Sequence, residues 1–335
     1  MENIISTAPL RALISMQAGQ NYWLNACMQY LMECLGESKN YSYWLFSGVT
    51  GDSFIQLYNK NPHEMPICFS HQYTAAALKK AFHACGYGYD HISNIDCEGK
   101  RSKHSARIRG YIDNGVPVIA RVNGPFNAFG VICAYKGDRF YCLLGESPQL
   151  AECCFSELVF VGEKMQKPPV SEIYRKAVLA FPSLIAMEGT NKSSFGKQAF
   201  VDWAQSFQSG LFGNYADGDP IWHTHPYEGF TCWNMHGAYL CMLGTNACCE
   251  SFLAQTLELN PDMAFIGDLI PIVRKQTKEG FDALAKMEGG FGILPSTVRD
   301  KAKMEPISNK IAELSLLCDD ILSVFSKAGY EGGAN

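Results

Sequence analysis

The sequence predicts an α+β protein with two domains of different texture. Residues 24–162 alternate between helical and strand-like segments, whereas the residues after a polar segment with two prolines at 162–169 follow helical periodicity almost throughout. Hydrophobic residues make up 47% of the 335 residues and charged residues 18%, which is typical of a globular chain long enough for two medium domains. We therefore expect a mixed domain at 1–165 and a mostly helical domain at 170–330.

The first domain is predicted to begin with helices. They cover residues 24–35, 52–58, 72–85 and 102–113. Gly86 and Gly115 follow the last two helices, in the position where a left-handed residue commonly ends a helix. Between the first two helices, an aromatic stretch at 41–46 and a loop at 47–51 are expected.

The rest of the first domain is predicted to be β-structure. The strands cover residues 116–122, 129–135, 139–144 and 158–161. Lys136-Gly137-Asp138 lies between the second and third of them and is a hairpin signal.

The second domain is predicted to be helical. Its helices cover residues 171–187, 195–209, 228–243, 245–258, 262–287 and 307–327. A kink is expected at Pro182, because proline removes a helical hydrogen bond and clashes with the preceding turn.

The composition argues against several classes of protein. The net charge of -5 and the lack of a long basic run argue against nucleic acid as a partner. No run approaches the roughly 18 apolar residues of a membrane span, and the first nine residues lack the pattern of a signal peptide, so a cytoplasmic protein is expected. The 14 cysteines form no Cys-x-x-Cys pair, and most are interpreted as small buried hydrophobes.

Cys27 is the candidate nucleophile, because it lies where a helix is predicted to begin. A thiol in the first turn of a helix is close to backbone N–H groups and to the positive end of the helix dipole, which favour the thiolate. Gln20 lies seven residues upstream and could donate an amide N–H to an oxyanion.

The order of these segments resembles the papain-like fold. The resemblance rests on a helix with a cysteine at its start, further helices, the strand at 114–120 and a hairpin that ends in Ala134-Tyr-Lys-Gly-Asp138. The chain is most similar in pattern to proteins related to the N-terminal domain of the butirosin biosynthesis H protein, and more distantly to the bacteriocin-processing cysteine peptidases. Trp44–Phe54 resembles the small-Gly-aromatic stretch of the butirosin-like group, in which helical C-terminal domains also occur.

The resemblance implies thiol chemistry on an acyl group, with Cys27 as nucleophile and Gln20 and the Cys27 N–H at the oxyanion. The family's histidine base would fall on Ala128 or Phe129, and neither can accept a proton. The residue that orients the base would fall near Glu146. The chain therefore lacks the family's histidine base at this position.

Another histidine could replace the missing base. His83 and His104 fall inside predicted helices and are interpreted as structural or solvated. His223 and His225 could reach the cleft from a loop and supply the base, could bind a metal through their His-x-His spacing, or could simply face solvent. No third ligand with a recognisable spacing accompanies them, so no metal and no cofactor is expected.

Two functions follow from these residues. The first is acyl transfer or amide hydrolysis on a small-molecule, peptide or acyl substrate, including one held by a carrier protein, with His225 or His223 as the base. The second is a catalytically inactive protein that binds a small molecule or peptide in the remnant cleft. A structural role inside a biosynthetic complex is a weaker third alternative.

Overall fold

The fold is described from a computed structural model of the chain. The described residues are 5–6, 8–37, 39, 41–63, 68–95, 98–124, 127–209, 215–216, 218–224, 231–232, 234–287, 290 and 293–330. They form helices and an antiparallel sheet, which confirms the predicted α+β class. The chain divides into two compact units, one of residues 1–50 and 70–173 and the other of residues 51–69 and 174–335. The sequence assigned 51–69 to the first domain, so the observed division differs there.

The elements are numbered along the chain. The helices are α1 (Trp23–Cys34), α2 (Tyr43–Thr50), α3 (Phe69–Gln72), α4 (Thr74–Cys85), α5 (Glu98–Ser102), α6 (Ser105–Asp113), α7 (Val170–Leu179), α8 (Phe181–Ile185), α9 (Gly196–Gln208), α10 (Asn234–Asn246), α11 (Cys249–Leu259), α12 (Ile266–Arg274), α13 (Gly280–Ala285), α14 (Pro295–Val298) and α15 (Lys301–Lys327). The strands are β1 (Ile5–Ser6), β2 (Leu57–Asn59), β3 (Tyr87–Ile92), β4 (Val118–Val122), β5 (Phe129–Lys136), β6 (Arg139–Leu144), β7 (Ser147–Glu152), β8 (Phe155–Lys164), β9 (Ser193–Phe195), β10 (His223–Thr224) and β11 (Thr231–Cys232).

One antiparallel sheet organises the first unit. Its strands follow the order β3-β8-β4-β5-β6-β7, and β1 also pairs with β5. One face packs against α6, where Ile108 and Ile112 join Ala120, Ile132 and Leu158 in a buried cluster. Because side chains alternate along a strand, the residues between these, such as Ile119 and Arg121, point to the other face.

The helix α1 packs on β4 and β5. Its residues Leu24, Cys27, Met28 and Leu31 are at most 1% exposed. They recur at spacings of three and four, which puts them on one side of a helix. The apolar side of α1 is therefore part of the hydrophobic core of the first unit.

Two segments of the first half differ from the sequence prediction. Residues 43–50 form the helix α2, although a loop was expected at 47–51. The side chains of α2 are buried except for that of Trp44. The predicted helix at 52–58 is a 3₁₀ turn at Asp52–Phe54 followed by β2, which pairs with β9. The partner strand lies more than 130 residues away in sequence, and such tertiary pairing overrides local propensity.

Other features agree with the sequence. Gly86 ends α4 in the left-handed conformation at φ 70°, and Gly137 turns the β5–β6 hairpin at φ 56°. The helix expected at 171–187 is present as α7 and α8, with Pro182 in the first turn of α8. The helix expected at 262–287 consists of α12 and α13 joined by a π-helical turn at Lys275–Glu279.

The second unit is built mainly from helices. The long helices α9 and α15 pack on each other, and α11 packs on α12. Within the described residues, no helix is both long enough and apolar enough to cross a lipid bilayer.

We expect Gly196→Ala to destabilise the second unit by more than about 2 kcal/mol. Gly196 has a φ of +53°, and a Cβ there would lie 2.3 Å from the carbonyl oxygen of Ile185. Gly267→Ala is the matched control, because a Cβ at this helical position meets nothing within 4 Å and should stabilise by up to about 1 kcal/mol. Urea unfolding measures both, and equal stabilities of the two variants would contradict the backbone argument.

Candidate functional site

Cys27 lies in the second turn of α1 and not in the first turn. The first helical residue is Trp23 and the N-cap is Tyr22, so Cys27 is the fifth residue of α1. At 1.5 Å per residue it lies about 6 Å along the axis from Trp23. The field of the helix end is strongest within the first turn, and the orphan N–H groups lie there too.

The Cys27 thiol is fully buried. Its exposed fraction is 0%, and burial raises its pKa far above the usual value, with a smaller contribution from Cys142 in the same direction. A backbone hydrogen bond at Cys27 acts in the opposite direction but does not offset burial. The expectation that the helix start favours the thiolate is therefore wrong, because removal from water disfavours the charged form.

Gln20 and Glu146 each accept a hydrogen bond from the backbone of the loop that precedes α1. The Gln20 side-chain oxygen accepts a hydrogen bond from the Ser15 N–H at 3.1 Å, and Glu146 Oε1 accepts from the Met16 N–H at 2.8 Å. The Gly145 carbonyl next to Glu146 accepts from two further backbone N–H groups of this loop. Both predicted site residues thus hold the loop at 13–18 in place.

The expected position of the base is apolar and buried. Ala128 is 8% exposed, and Phe129, the first residue of β5, is 1% exposed. The Phe129 ring lies under the guanidinium of Arg121, with 4.6 Å between the Arg121 Cζ and the ring centroid. This cation–π contact occupies the place where a proton acceptor was expected.

Of the two histidines proposed as a substitute base, His223 belongs to the second unit, where it lies in β10 opposite Cys232 of β11. His225 lies outside the described residues. Their roles stay predictions. Among the residues that the structure describes, no group of three or more His, Cys, Asp and Glu side chains is arranged to hold a metal ion.

The structure also describes the two histidines that were interpreted as structural or solvated. His83 is exposed on α4, as the solvated alternative predicted, and His104 is the half-buried residue that precedes α6.

A charged cluster that the sequence analysis missed crosses three neighbouring strands. Arg121 of β4 faces Glu157 of β8, and their Nε and Oε1 atoms are 2.6 Å apart. His91 of β3 bonds the other Glu157 oxygen through Nε2 at 2.8 Å. The guanidinium of Arg121 also donates to Thr74 Oγ1 at 2.8 Å and contacts His71 Nε2.

Two groups of this cluster, His71 and Glu157, have shifted pKa values. Burial, together with the positive charge of Arg121, lowers the pKa of His71 to about 3, so its ring is neutral and can accept a hydrogen bond from Arg121. Burial alone would raise the pKa of Glu157, but the hydrogen bond with His91 and the charge of Arg121 outweigh it, and the net shift is downward. One sequence feature indicates this cluster: Arg121 is the charged residue of the otherwise apolar strand β4.

No family model matches this chain, and no curated protein matches it. The geometry therefore carries the functional argument. Its main features are a buried thiol, a loop before α1 that is held by hydrogen bonds, and a cluster in which Arg121 and Glu157 neutralise each other.

We expect Glu157→Gln to destabilise the first unit by about 2–3 kcal/mol. Breaking a buried ion pair costs about 3–5 kcal/mol, and the 18% exposure of the Glu157 side chain lowers this cost. The control is Glu152→Gln, which removes the exposed pair with Arg139 and should cost less than about 1 kcal/mol. Chemical denaturation compares the two, and similar losses would argue against a buried network.

The stability of the first unit should fall as the pH drops below about 6.5. The unfolded chain binds a proton on His71 near its ordinary pKa of 6.5, whereas the folded chain does so only near 3, so this contribution is complete above pH 6.5 and decreases below it. The lowered pKa of Glu157 acts in the same direction at lower pH.

Each proton that the unfolded chain binds and the folded chain does not changes the free energy of unfolding by at most about 1.4 kcal/mol per pH unit. We expect His71→Gln to flatten the profile between pH 6.5 and 4.5, because the amide oxygen can accept from Arg121 without titrating. His83→Gln, at an exposed position of the same unit, should leave the slope unchanged. Denaturation midpoints across this pH range measure both, and parallel profiles for the parent and His71→Gln would exclude His71 as the cause.

Proposed function

We propose that this chain is a catalytically inactive protein with a papain-like first unit that binds a small molecule or peptide in the remnant cleft. The antiparallel sheet with α1 packed on it is compatible with that fold. The observation that carries the functional part of the proposal is the complete burial of Cys27.

The other residues of the expected mechanism support the same proposal. Gln20 and Glu146 accept backbone hydrogen bonds from the loop before α1. Ala128 and Phe129 cannot take a proton from sulfur. The groups that a thiol mechanism needs thus serve the stability of the fold.

The cleft would be the surface at the start of α1. Trp23 is half-buried there, and its ring lies 3.2 Å from the position a Cβ would take at Gly145, whose φ is +62°. An aromatic ring beside polar groups such as Gln20 is a common lining for small-molecule and peptide sites.

Thiol-dependent acyl transfer or amide hydrolysis by Cys27 is the alternative. It needs a thiolate that reaches the substrate, and burial of the sulfur disfavours both the thiolate and access. Cys154, in contrast, is exposed in the same unit and is the natural internal reference for thiol reactivity.

We expect iodoacetamide to alkylate Cys154 at least about 100-fold faster than Cys27 in the folded chain, because the buried thiol must wait for an opening of the structure. Peptide mass spectrometry of timed samples measures both rates. Unfolding in urea should remove the difference, which controls for intrinsic reactivity.

Acyl transfer from an N-acetylcysteamine thioester gives a second readout. Any slow acylation of the protein should survive Cys27→Ala and disappear in Cys154→Ser. Rapid alkylation of Cys27, or thioester turnover that requires it, would establish the enzyme alternative instead.

A further inference from the structure

The sequence contains two Asn-Gly pairs, Asn114-Gly115 and Asn123-Gly124, and both lie in the first unit with their asparagines exposed. An asparagine followed by glycine can lose its side-chain amide, because the backbone nitrogen of a residue without Cβ approaches the side-chain carbonyl with little hindrance. The sequence alone does not distinguish the two pairs. Their surroundings in the structure do.

The first pair is held in a conformation that opposes this reaction. Asn114 is the C-cap of α6, and its ψ of 9° brings the Gly115 nitrogen close to eclipsing the Asn114 nitrogen and so away from the Asn114 side chain. The Gly115 N–H donates to the Ile112 carbonyl at 2.9 Å, and Asn114 Nδ2 donates to the Gly110 carbonyl at 2.7 Å. Both reacting groups have to leave these hydrogen bonds before they can meet.

The second pair lies at the exposed end of β4. Asn123 is fixed there by its own N–H, which donates to the Cys154 carbonyl at 2.9 Å. Gly124 is exposed, and a Cβ at this residue would meet nothing within 4 Å. Among the described residues, none accepts a hydrogen bond from the Gly124 N–H or bonds to the Asn123 side-chain amide. These two groups can therefore approach each other without breaking a hydrogen bond within the described part of the chain.

We propose that Asn123 is a site of spontaneous modification, at which its side-chain amide is converted into a carboxylate. The Gly124 nitrogen attacks Asn123 Cγ, the N–Cγ bond forms, the Cγ–Nδ2 bond breaks, and ammonia leaves with the proton of the Gly124 N–H. Water then adds to one of the two carbonyls of the resulting succinimide and cleaves the bond from that carbonyl to nitrogen. The product is aspartate or isoaspartate.

The conversion consumes one water molecule, releases one ammonia and makes the net charge of -5 more negative by one. It places a new carboxylate at the exposed end of β4. This modification site is independent of the binding function proposed for the first unit.

The test follows both pairs in the same molecule. The full chain is incubated at mildly alkaline pH, and peptide mass spectrometry of timed samples measures the mass increase from amide to acid at each asparagine. We expect Asn123 to react at least about tenfold faster than Asn114, because two hydrogen bonds protect the latter pair.

Unfolding in urea is the control for intrinsic reactivity. Both pairs should then react at rates within about threefold of each other, because the protection ends with the fold. Equal rates in the folded chain, or a faster rate at Asn114, would overturn the proposal. A folded chain that keeps Asn123 intact while the unfolded chain reacts at both pairs would also overturn it.

Gly124→Ala tests the attacking nitrogen. We expect the reaction at Asn123 to slow by at least about tenfold, because a Cβ next to this nitrogen hinders its approach to Asn123 Cγ. The fold should tolerate the change, since the added Cβ meets nothing within 4 Å and Gly124 does not take a left-handed φ. Asn114 is the internal control and should keep its rate. An unchanged rate at Asn123 in Gly124→Ala would overturn the proposed attack.

Discussion

The packing of α1 on β4 and β5 is the constraint on which the first unit depends. Its apolar side, including Leu24, Cys27 and Met28, is removed from water, and this burial is the main favourable contribution to folding. The same burial raises the pKa of Cys27. Because one contact both stabilises the helix and suppresses the thiolate, Cys27 cannot serve the core and react rapidly without an opening of the structure.

His236 and Arg121 show two ways in which a polar side chain is accommodated inside this protein: neutral and hydrogen-bonded, or charged and paired with an opposite charge. His236 in the second unit is fully buried, burial lowers its pKa to about 3, and its Nδ1 accepts from the Trp203 indole N–H at 3.3 Å. In the first unit, Arg121 is neutralised by Glu157. Among the described residues, four buried side-chain atoms lack a hydrogen-bond partner: Ser53 Oγ, Gln56 Oε1, Arg109 Nε and Arg121 Nε, the last of which nevertheless lies 2.6 Å from Glu157 Oε1.

Local sequence patterns predicted those elements that local interactions determine. The spacing of apolar residues predicted α1, and Gly86 and Gly137 marked a helix end and a hairpin because both take positive φ. The sequence could not predict β2, which forms only by pairing with β9. The role of Glu146 was equally hidden, because its partner Met16 is 130 residues away. The inward position of Cys27 follows from its helical spacing with Leu24 and Leu31, and burial there outweighs the field of the helix start.

The segment at 51–69 belongs to the second unit, although residues of the first unit precede and follow it in the sequence. It leaves the first unit after Thr50 and supplies the second unit with β2, with Ser53 and Gln56, and with Asn59, whose N–H donates to the Tyr239 hydroxyl at 3.0 Å. A fragment that begins near residue 170 would lack β2, and β9 would then lose the strand with which it pairs. Because that pairing joins residues more than 130 positions apart, the second unit needs both parts of the chain to complete its fold.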